Sequence, residues 1–542
     1  MSFYSKKIIM KKIFLKILIA VLMEFALVNF NSCSNERALL SSNKEIEPIS
    51  LNIYLMGKVE NIDGMLAKFY SITHETLNVH LNIYGIEKDF YPQTLSAALQ
   101  SAQNVDLCFD STNMDMRKRV DDGVYLELQQ YLKSDLYYGL KKAFSYDYLK
   151  ANRINGKNYG LPIMSSFLNP TGITYRKDLI QKYKLNFNTI SNYEELDQYF
   201  KKLKENDITL IPLSIDLQNG FFSMFSNDID FMKNNIYDIE NWPSYKFPVK
   251  VVLSEDQKTV KDVVFATDID ERFKSLGGNY NYNFFKEQYE KYVYWSKYTA
   301  EYSIVAKPSY LLQAAELNQL GNSSAYQQKL HEVGCDEAEV DFLPADSLFS
   351  SNIFMMQHSI PTNMKATNFL CIPRNSQNIT ITLQFLDWLF SKQDNIDLFK
   401  YGVEGEDWKA VGENEYELIN KENPYTFPSE CMALNPNYIR IPITFTENEK
   451  RIANYINNPE SYTLAPLAGW EFNPSPVVSQ IAQLEAAYEK YRLLLMHGKP
   501  PYDIQKILEE MRIDFDSCEI EKVRDQIIWQ AQYYLDYQIS LN

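Results

Sequence analysis

The chain of 542 residues is acidic, with 54 Lys and Arg against 70 Asp and Glu, which gives a net charge of −16. That charge argues against nucleic acid as a partner, because phosphate binding requires a basic face. The hydrophobic fraction of 45% is typical of a folded globular protein, and the length predicts about three folding units, or two large α/β lobes.

The N-terminus has the layout of an export signal. Four lysines between residues 6 and 12 precede an apolar stretch at residues 13–30. Lys16 and Glu24 interrupt this stretch, which is short for a membrane span. We therefore predict a signal peptide over residues 1–32, starting at either Met1 or Met10.

Ser32-Cys33 follows directly after this apolar stretch. A small residue before cysteine at this position resembles the lipobox of bacterial lipoproteins, although Phe30 stands where leucine is usual. The resemblance implies a lipidated Cys33, with diacylglycerol and palmitate, and attachment to the outer face of the bacterial cytoplasmic membrane through lipid only. The alternative is a buried cysteine beside an uncleaved anchor. Residues 33–50, with Cys33 at their start, are rich in Ser, Asn and Glu and are predicted to form a flexible tether.

Residues 51–110 alternate between strand and helix patterns. Residues 51–55 and 79–84 alternate apolar with polar positions, as half-buried strands do. A predicted helix at 90–101 is followed by a short apolar strand that ends at Asp110. This order indicates parallel strands, whose carboxyl ends are where ligands bind in open sheets. Asp110 is therefore either a site residue or a helix or turn cap.

The middle and the end of the chain continue the mixed pattern. Two glycines and a proline at 156–162 predict a turn followed by an extended segment. Further strands are expected at 173–176, 208–213 and 368–373. Helices are expected at 192–203, 284–298, 380–390 and 395–401, and from about residue 476 the chain is strongly helical, at 477–495, 501–511 and 519–539.

Four stretches in this order resemble the family 1 extracellular solute-binding proteins, in the branch of lipoproteins that ends in a helical C-terminal domain. They are residues 95–109, 155–178, 385–405 and 469–473. The resemblance implies an α/β, two-lobed periplasmic-binding-protein-like (type II) fold with a helical C-terminal extension and a ligand in the cleft between the lobes. Glu406-Asp407-Trp408 and Ser429-Glu430 depart from the family's usual residues, which leaves the ligand open.

The resemblance also implies domain boundaries. Residues 51–161 are expected to form lobe 1, completed by about 350–402. Residues 162–345 are expected to form lobe 2, completed by about 403–542, which is largely helical.

A sugar presents flat C–H faces ringed by hydroxyls, so its site requires aromatic faces and polar side chains. Family likeness and local chemistry together predict Asp110 as a hydroxyl acceptor and Trp470 as a stacking platform. Phe167 and Tyr175 are predicted wall residues, and Glu404 and Asn473 predicted polar contacts. Core packing is the alternative for the three aromatic residues.

We therefore predict a solute-binding component of an ABC importer, which carries an oligosaccharide to permease subunits and is a monomer. No catalytic motif, metal-ligand spacing or phosphate-binding loop occurs in the sequence, so no enzyme activity, metal or cofactor is expected. Five cysteines besides Cys33 are scattered and predict no disulfide framework. The alternatives are a binding protein for peptide or another solute, an exported glycoside hydrolase, and a surface adhesin.

Overall fold

The computed structural model describes residues 47–101, 103–168, 171–176, 182–184, 193–206, 212–213, 220–221, 235–239, 248–278, 282–299, 312–316, 340–344, 360–445, 447–498 and 503–541. The predicted signal peptide and Cys33 lie outside these residues. Within them, no helix combines the length and the apolar character needed to cross a membrane.

In chain order, the strands of the described residues are β1 (Ile49–Met56), β2 (Val79–Ile86), β3 (Leu107–Ser111), β4 (Leu161–Ile163), β5 (Thr171–Arg176), β6 (Ile236–Tyr237), β7 (Val249–Leu253), β8 (Val260–Phe265), β9 (Leu312–Glu316), β10 (Val340–Pro344), β11 (Ile360–Thr362), β12 (Asn368–Cys371), β13 (Trp408–Val411), β14 (Glu415–Leu418), β15 (Ile441–Pro442) and β16 (Tyr462–Leu464). The α-helices of the same residues span Asp63–Thr73, Tyr91–Gln100, Met116–Asp121, Gln129–Leu132, Tyr138–Ala143, Tyr146–Ala151, Tyr193–Asn206, Asp270–Leu276, Phe284–Trp295, Ile379–Leu389, Gln393–Tyr401, Glu447–Ile456, Val478–His497, Ile504–Ser517 and Ile520–Leu541.

A five-stranded sheet in the order β2-β1-β3-β12-β4 forms the centre of the first lobe. β1 is parallel to β2 and β3, whereas β12 runs antiparallel to β3 and β4. Leu51, Ile53 and Leu55 are fully buried, as the alternation predicted for β1. The carboxyl ends of β3 and β4 and the amino end of β12 therefore meet at one edge of the sheet.

The second lobe contains two small antiparallel sheets, β10-β5-β9 and β6-β7-β8. The C-terminal helix 520–541 packs on β8, and helices 478–497 and 504–517 pack against helix 284–295. Arg524 lies at the centre of this packing, with Nη2 at 2.6 Å from Oδ1 of Asp268 and an exposed fraction of 3%. These contacts attach the C-terminal helices to β8 and to helix 284–295.

Residues 403–441 pack on the first lobe, whereas the sequence analysis assigned them to the second. Tyr438 donates a hydrogen bond to the carbonyl of Phe390 at 2.7 Å, and Arg440 pairs with Asp397 at 2.7 Å. Asn435 donates to the carbonyl of Ala143. These contacts join segments distant in the sequence, so local patterns do not reveal them.

The predicted strands at 51–55, 79–84, 105–110 and 368–373 correspond to β1, β2, β3 and β12, and the helices predicted at 380–390 and 395–401 end within two residues of the observed ones. The three C-terminal helices are likewise confirmed. The strand predicted at 208–213 falls largely outside the described residues. Four cysteines that the structure describes are buried and free.

Candidate functional site

Three segments of the chain meet where the first lobe passes into the second, and we call this region the junction. They are residues 166–168 after β4, residues 360–364 before β12, and residues 456–468. β11 and β16 pair in parallel. Thr362 Oγ1 donates to the carbonyl of Phe167 at 2.7 Å, and Ser166 Oγ donates to the carbonyl of Ile456 at 3.2 Å. Hydrogen bonds therefore tie all three segments together.

Asn152 fixes the path of the segment that leads into β12. Its side chain is buried, donates to the carbonyl of Met364 at 2.8 Å and accepts from the backbone N–H of Ala366 at 2.7 Å. Lys365 lies between these two contacts. The side-chain amide thus replaces a strand partner and sets the position of Lys365 at the edge of the sheet.

A cluster of three charges occupies this edge. The helix 116–121 follows directly after β3, and its Arg117 donates two hydrogen bonds to the carboxylate of Glu471. Lys365 Nζ lies 2.8 Å from Oε1 of the same carboxylate. The exposed fractions are 33% for Arg117, 20% for Lys365 and 17% for Glu471. Glu471 therefore attaches its loop to the carboxyl edge of the first lobe's sheet.

Burial of Glu471 alone would raise its pKa, but the hydrogen bond from Arg117 and the charge of Lys365 outweigh it and lower the pKa below the usual value. The carboxylate is thus ionised at neutral pH, with two cations beside it.

Residues 465–473, which we call the Trp470 loop, are attached to the last helix as well. Gln530 accepts from the backbone N–H of Asn473 at 2.8 Å and donates to its carbonyl at 3.0 Å. Tyr534 donates to the carbonyl of Ala468. Gly469 has φ +83°, and a Cβ there would lie 2.7 Å from the carbonyl oxygen of Lys150. The loop is therefore enclosed between helix 146–151 and the last helix, with room only for glycine at 469.

Asp110 lies at the carboxyl end of β3, as predicted, with its carboxylate inside the lobe. Both of its oxygens accept from Arg119 Nη1, at 3.0 and 2.9 Å, and Tyr125 donates to Oδ2 at 2.5 Å. Asp110 is fully buried and the side chain of Arg119 is 8% exposed. A ligand role for Asp110 remains a prediction, and it requires a sugar hydroxyl to replace one of these partners.

Phe167 lies in the junction, and Trp470 lies in the loop that follows it. The Trp470 side chain is 4% exposed and packs edge-on to Phe472, with ring centroids 6.4 Å apart. Phe167 is half-buried and packs edge-on to Tyr148 and Tyr462, at 4.7 and 5.0 Å. Their contacts to ligand remain predictions, and stacking on Trp470 requires the junction to open.

The other three predicted site residues are dispersed. Asn473 is exposed at the end of the Trp470 loop. Glu404 is exposed beside β13 and accepts from the backbone N–H of Ala410 at 3.4 Å. The backbone of Tyr175 lies in β5 opposite Asp341 and Leu312. Of the six predicted residues, Phe167 thus lies in the junction, Trp470 and Asn473 lie in the loop that follows it, and Glu404 lies on the hairpin that follows helix 393–401.

The sequence analysis missed Arg117 and Lys365. Glu471 was inside a singled-out motif, but its role was not identified. No local spacing pairs residues 117, 365 and 471, because they come together only through the sheet order and the junction. Among the residues that the structure describes, no group of three or more His, Cys, Asp or Glu is placed to bind a metal ion.

Two parts of the chain match models of known protein families. Residues 77–301 match the family model for bacterial extracellular solute-binding proteins, and residues 466–536 match a domain of unknown function, DUF3502. A carbohydrate ABC transporter substrate-binding protein of Streptococcus pneumoniae serotype 4 is 22% identical over 509 residues, which cover 92% of each chain.

Two solved structures share the fold. The N-glycan transport solute binding protein NgtS of Streptococcus pneumoniae superposes with a TM-score of 0.61 at 18% identity, over 90% of this chain and 100% of its own. An extracellular solute-binding protein of Bifidobacterium longum subsp. infantis gives 0.55 at 13% identity, over 91% and 99%. They confirm the predicted two-lobed α/β fold. The chain is thus similar to the bacterial extracellular solute-binding proteins over residues 77–301, and it shares their two-lobed fold.

Proposed function

We propose that this protein is the substrate-binding component of a carbohydrate ABC importer, which captures an oligosaccharide between its two lobes and delivers it to a membrane permease. The observation that carries the proposal is the junction, where three hydrogen-bonded crossings and the Glu471 cluster lie at the carboxyl edge of the first lobe's sheet. That edge is where ligands bind in open α/β sheets.

The relatives support a sugar as the cargo. The curated relative is a carbohydrate transporter component, and NgtS has been crystallised with Man1GlcNAc, in a structure that superposes here with a TM-score of 0.54. NgtS has also been crystallised with Man5GlcNAc. We take a neutral oligosaccharide as the first ligand class to test, with peptide as the rival class.

Binding suits the junction better than hydrolysis. A glycoside hydrolase needs one carboxyl group with a raised pKa to protonate the leaving oxygen. At Glu471, two cations lower the pKa instead, which suits a positioning group. Burial raises the pKa of Asp110, but its two oxygens accept hydrogen bonds from Arg119 and Tyr125 inside the lobe. The proposed ligand contacts are the six predicted residues, of which Phe167 lies in the junction and Trp470 and Asn473 lie in the loop that follows it.

Export and anchoring complete the proposal. A signal peptide over residues 1–32 and a lipidated Cys33 would leave the protein on the outer face of the cytoplasmic membrane, acting as a monomer beside its permease. Mass spectrometry of the membrane-extracted protein tests this, because a diacylglycerol-modified N-terminal Cys33 is expected. An unmodified N-terminus or an uncleaved leader would refute it.

The test of function is a thermal-shift and calorimetry screen of residues 34–542 against neutral oligosaccharides, with short peptides in parallel. A ligand at 100 times its Kd adds about 2.7 kcal/mol to the free energy of unfolding. We expect stabilisation by one glycan series and none by peptides. Stabilisation by peptides alone would move the function to the rival class.

A closure measurement adds a second criterion. The radius of gyration from small-angle scattering is expected to fall when that glycan saturates the protein, because hinge closure around a ligand brings the lobes together. An unchanged radius at saturation would contradict capture between the lobes.

A further inference from the structure

The last helix carries a row of exposed aromatic side chains. Trp529, Tyr533 and Tyr537 follow each other at intervals of four residues and are 61%, 65% and 52% exposed. Residues four apart lie on the same face of a helix. We call these three residues the aromatic stripe.

The buried face of the same helix is made by other residues. Val523, Ile527, Ala531 and Leu535 face the core of the second lobe. Gln532 reaches the opposite flank, where it accepts from the backbone N–H of Val260 at 2.8 Å. Most of the surface of Trp529 and Tyr533 therefore lies outside the packing that holds this helix in place.

The stripe borders the Trp470 loop. Gln530 follows Trp529 in sequence and makes both backbone hydrogen bonds of Asn473, while Tyr534 follows Tyr533 and donates to Ala468. Gln530 and Tyr534 lie on the flank of the helix next to the stripe, because each is one position, or about 100° of helix rotation, away from a stripe residue. The stripe therefore lies beside the Trp470 loop, whose Asn473 is exposed.

The chemistry of the stripe matches a sugar chain. The rings of Trp529 and Tyr533 stack on each other, 22° from parallel with centroids 5.8 Å apart, and both side chains are still more than 60% exposed. Such faces bind the C–H faces of successive sugar residues. The exposed side chains around them are charged, at Lys522, Asp525 and Asp536. The core of a protein interface is depleted in charged residues, whereas Lys522, Asp525 and Asp536 surround this stripe.

We propose that the aromatic stripe is a second carbohydrate-binding surface, which holds the outer residues of an oligosaccharide whose first residues occupy the cleft. This inference rests on the proposed function and adds to it. It makes length a criterion of selection, because only a chain long enough to pass the Trp470 loop reaches the stripe.

The test compares two probes on two proteins. Calorimetry measures the Kd of Man1GlcNAc and of Man5GlcNAc for the wild type and for Trp529→Ala/Tyr533→Ala. We expect the double variant to bind Man5GlcNAc about tenfold more weakly or worse, since truncation of aromatic anchors commonly has that effect. The Kd of Man1GlcNAc should not change. The control is Tyr138→Ala, which removes a 71% exposed tyrosine from the first lobe.

The outcomes separate this inference from the proposed function. If the wild type and the double variant bind Man5GlcNAc with equal affinity, the role of the stripe is refuted, but the proposed sugar binding is not. Equal weakening of both probes also overturns it, because the effect is then independent of length. If the wild type prefers another glycan series, its shortest and longest members replace the probes. A wild type that binds no glycan refutes the proposed function itself. Transport lost in cells with unchanged glycan affinity assigns the stripe to a protein partner instead.

Discussion

Arg117 and Arg119 lie two residues apart on helix 116–121 and serve two different regions. Arg119 turns into the first lobe and pairs with the fully buried Asp110. Arg117 reaches out to Glu471 in the Trp470 loop, more than 350 residues later in the chain. Between them, Lys118 pairs with Asp122 in solvent. Three neighbouring cations therefore have three different roles, which depend on where the partner lies. Arg119 neutralises a buried carboxylate, Arg117 joins two distant segments, and Lys118 forms a surface ion pair.

The buried pair of Arg119 and Asp110 should show the largest effect on stability when it is broken. Arg119→Met leaves the Asp110 carboxylate buried with its main counter-charge gone, and we expect the free energy of unfolding to fall by about 3–5 kcal/mol. Urea denaturation followed by circular dichroism measures it. Arg117→Met is the matched control, because it removes the same charge from the same helix at a more exposed position. A loss no larger than that of the control would refute the distinction.

The second largest loss of stability is expected for substitution of Trp470, because this side chain is buried. Trp470→Ala should lower the free energy of unfolding by about 3 kcal/mol, because a buried indole is removed and leaves a cavity. Trp529→Ala, which truncates a 61% exposed tryptophan, serves as control and should leave stability nearly unchanged. If Trp470→Ala keeps its stability but loses glycan binding, the predicted stacking platform is right and the packing role is minor.

Glu471 should have a smaller, pH-dependent effect. Glu471→Gln weakens the hydrogen bonds from Arg117 and Lys365, at an expected cost of about 1–2 kcal/mol at pH 7. The folded state lowers the pKa of Glu471, so its stabilising contribution is present above the unfolded pKa near 4.5 and is lost as the pH falls through the folded value. The stability difference between wild type and variant, from urea titrations between pH 7 and 3, should therefore shrink on acidification. A constant difference would contradict this linkage.

Lys118 should show the smallest effect. Its ammonium and the Asp122 carboxylate are both largely exposed, and surface ion pairs of this kind contribute little. Lys118→Ala should leave the denaturation midpoint within error of the wild type. A clear loss would mean that the helix responds to any change of charge, and the contrast between Arg117 and Arg119 would lose its meaning.

Local patterns predicted the elements well but not their partners. Alternation at residues 51–55 and 79–84 was enough to place β1 and β2, because a half-buried strand must alternate. The end of β3 at Asp110 was also predicted. Its partners Arg119 and Tyr125 were not, because a carboxylate at a strand end has the same sequence whether it faces a cleft or the interior.

Trp470 illustrates the same limit for the site. A tryptophan after glycine, in a loop with proline and asparagine nearby, is typical of an exposed ligand contact. In the structure the loop is covered by helix 146–151, about 320 positions earlier, and by the last helix, about 60 positions later. Burial of a loop residue depends on such distant segments, and so does the assignment of residues 403–441 to the first lobe.

The three crossings at the junction constrain the mechanics of the molecule. A single linker would let the lobes swivel about one bond, but parallel crossings that are hydrogen-bonded through Thr362 and Ser166 resist twisting while still allowing a bend. The expected motion is a hinge rotation of one lobe against the other about a single axis. The displacement of an atom then grows in proportion to its distance from that axis. Paired spin labels placed at increasing distances from the junction should therefore report one common angle of rotation.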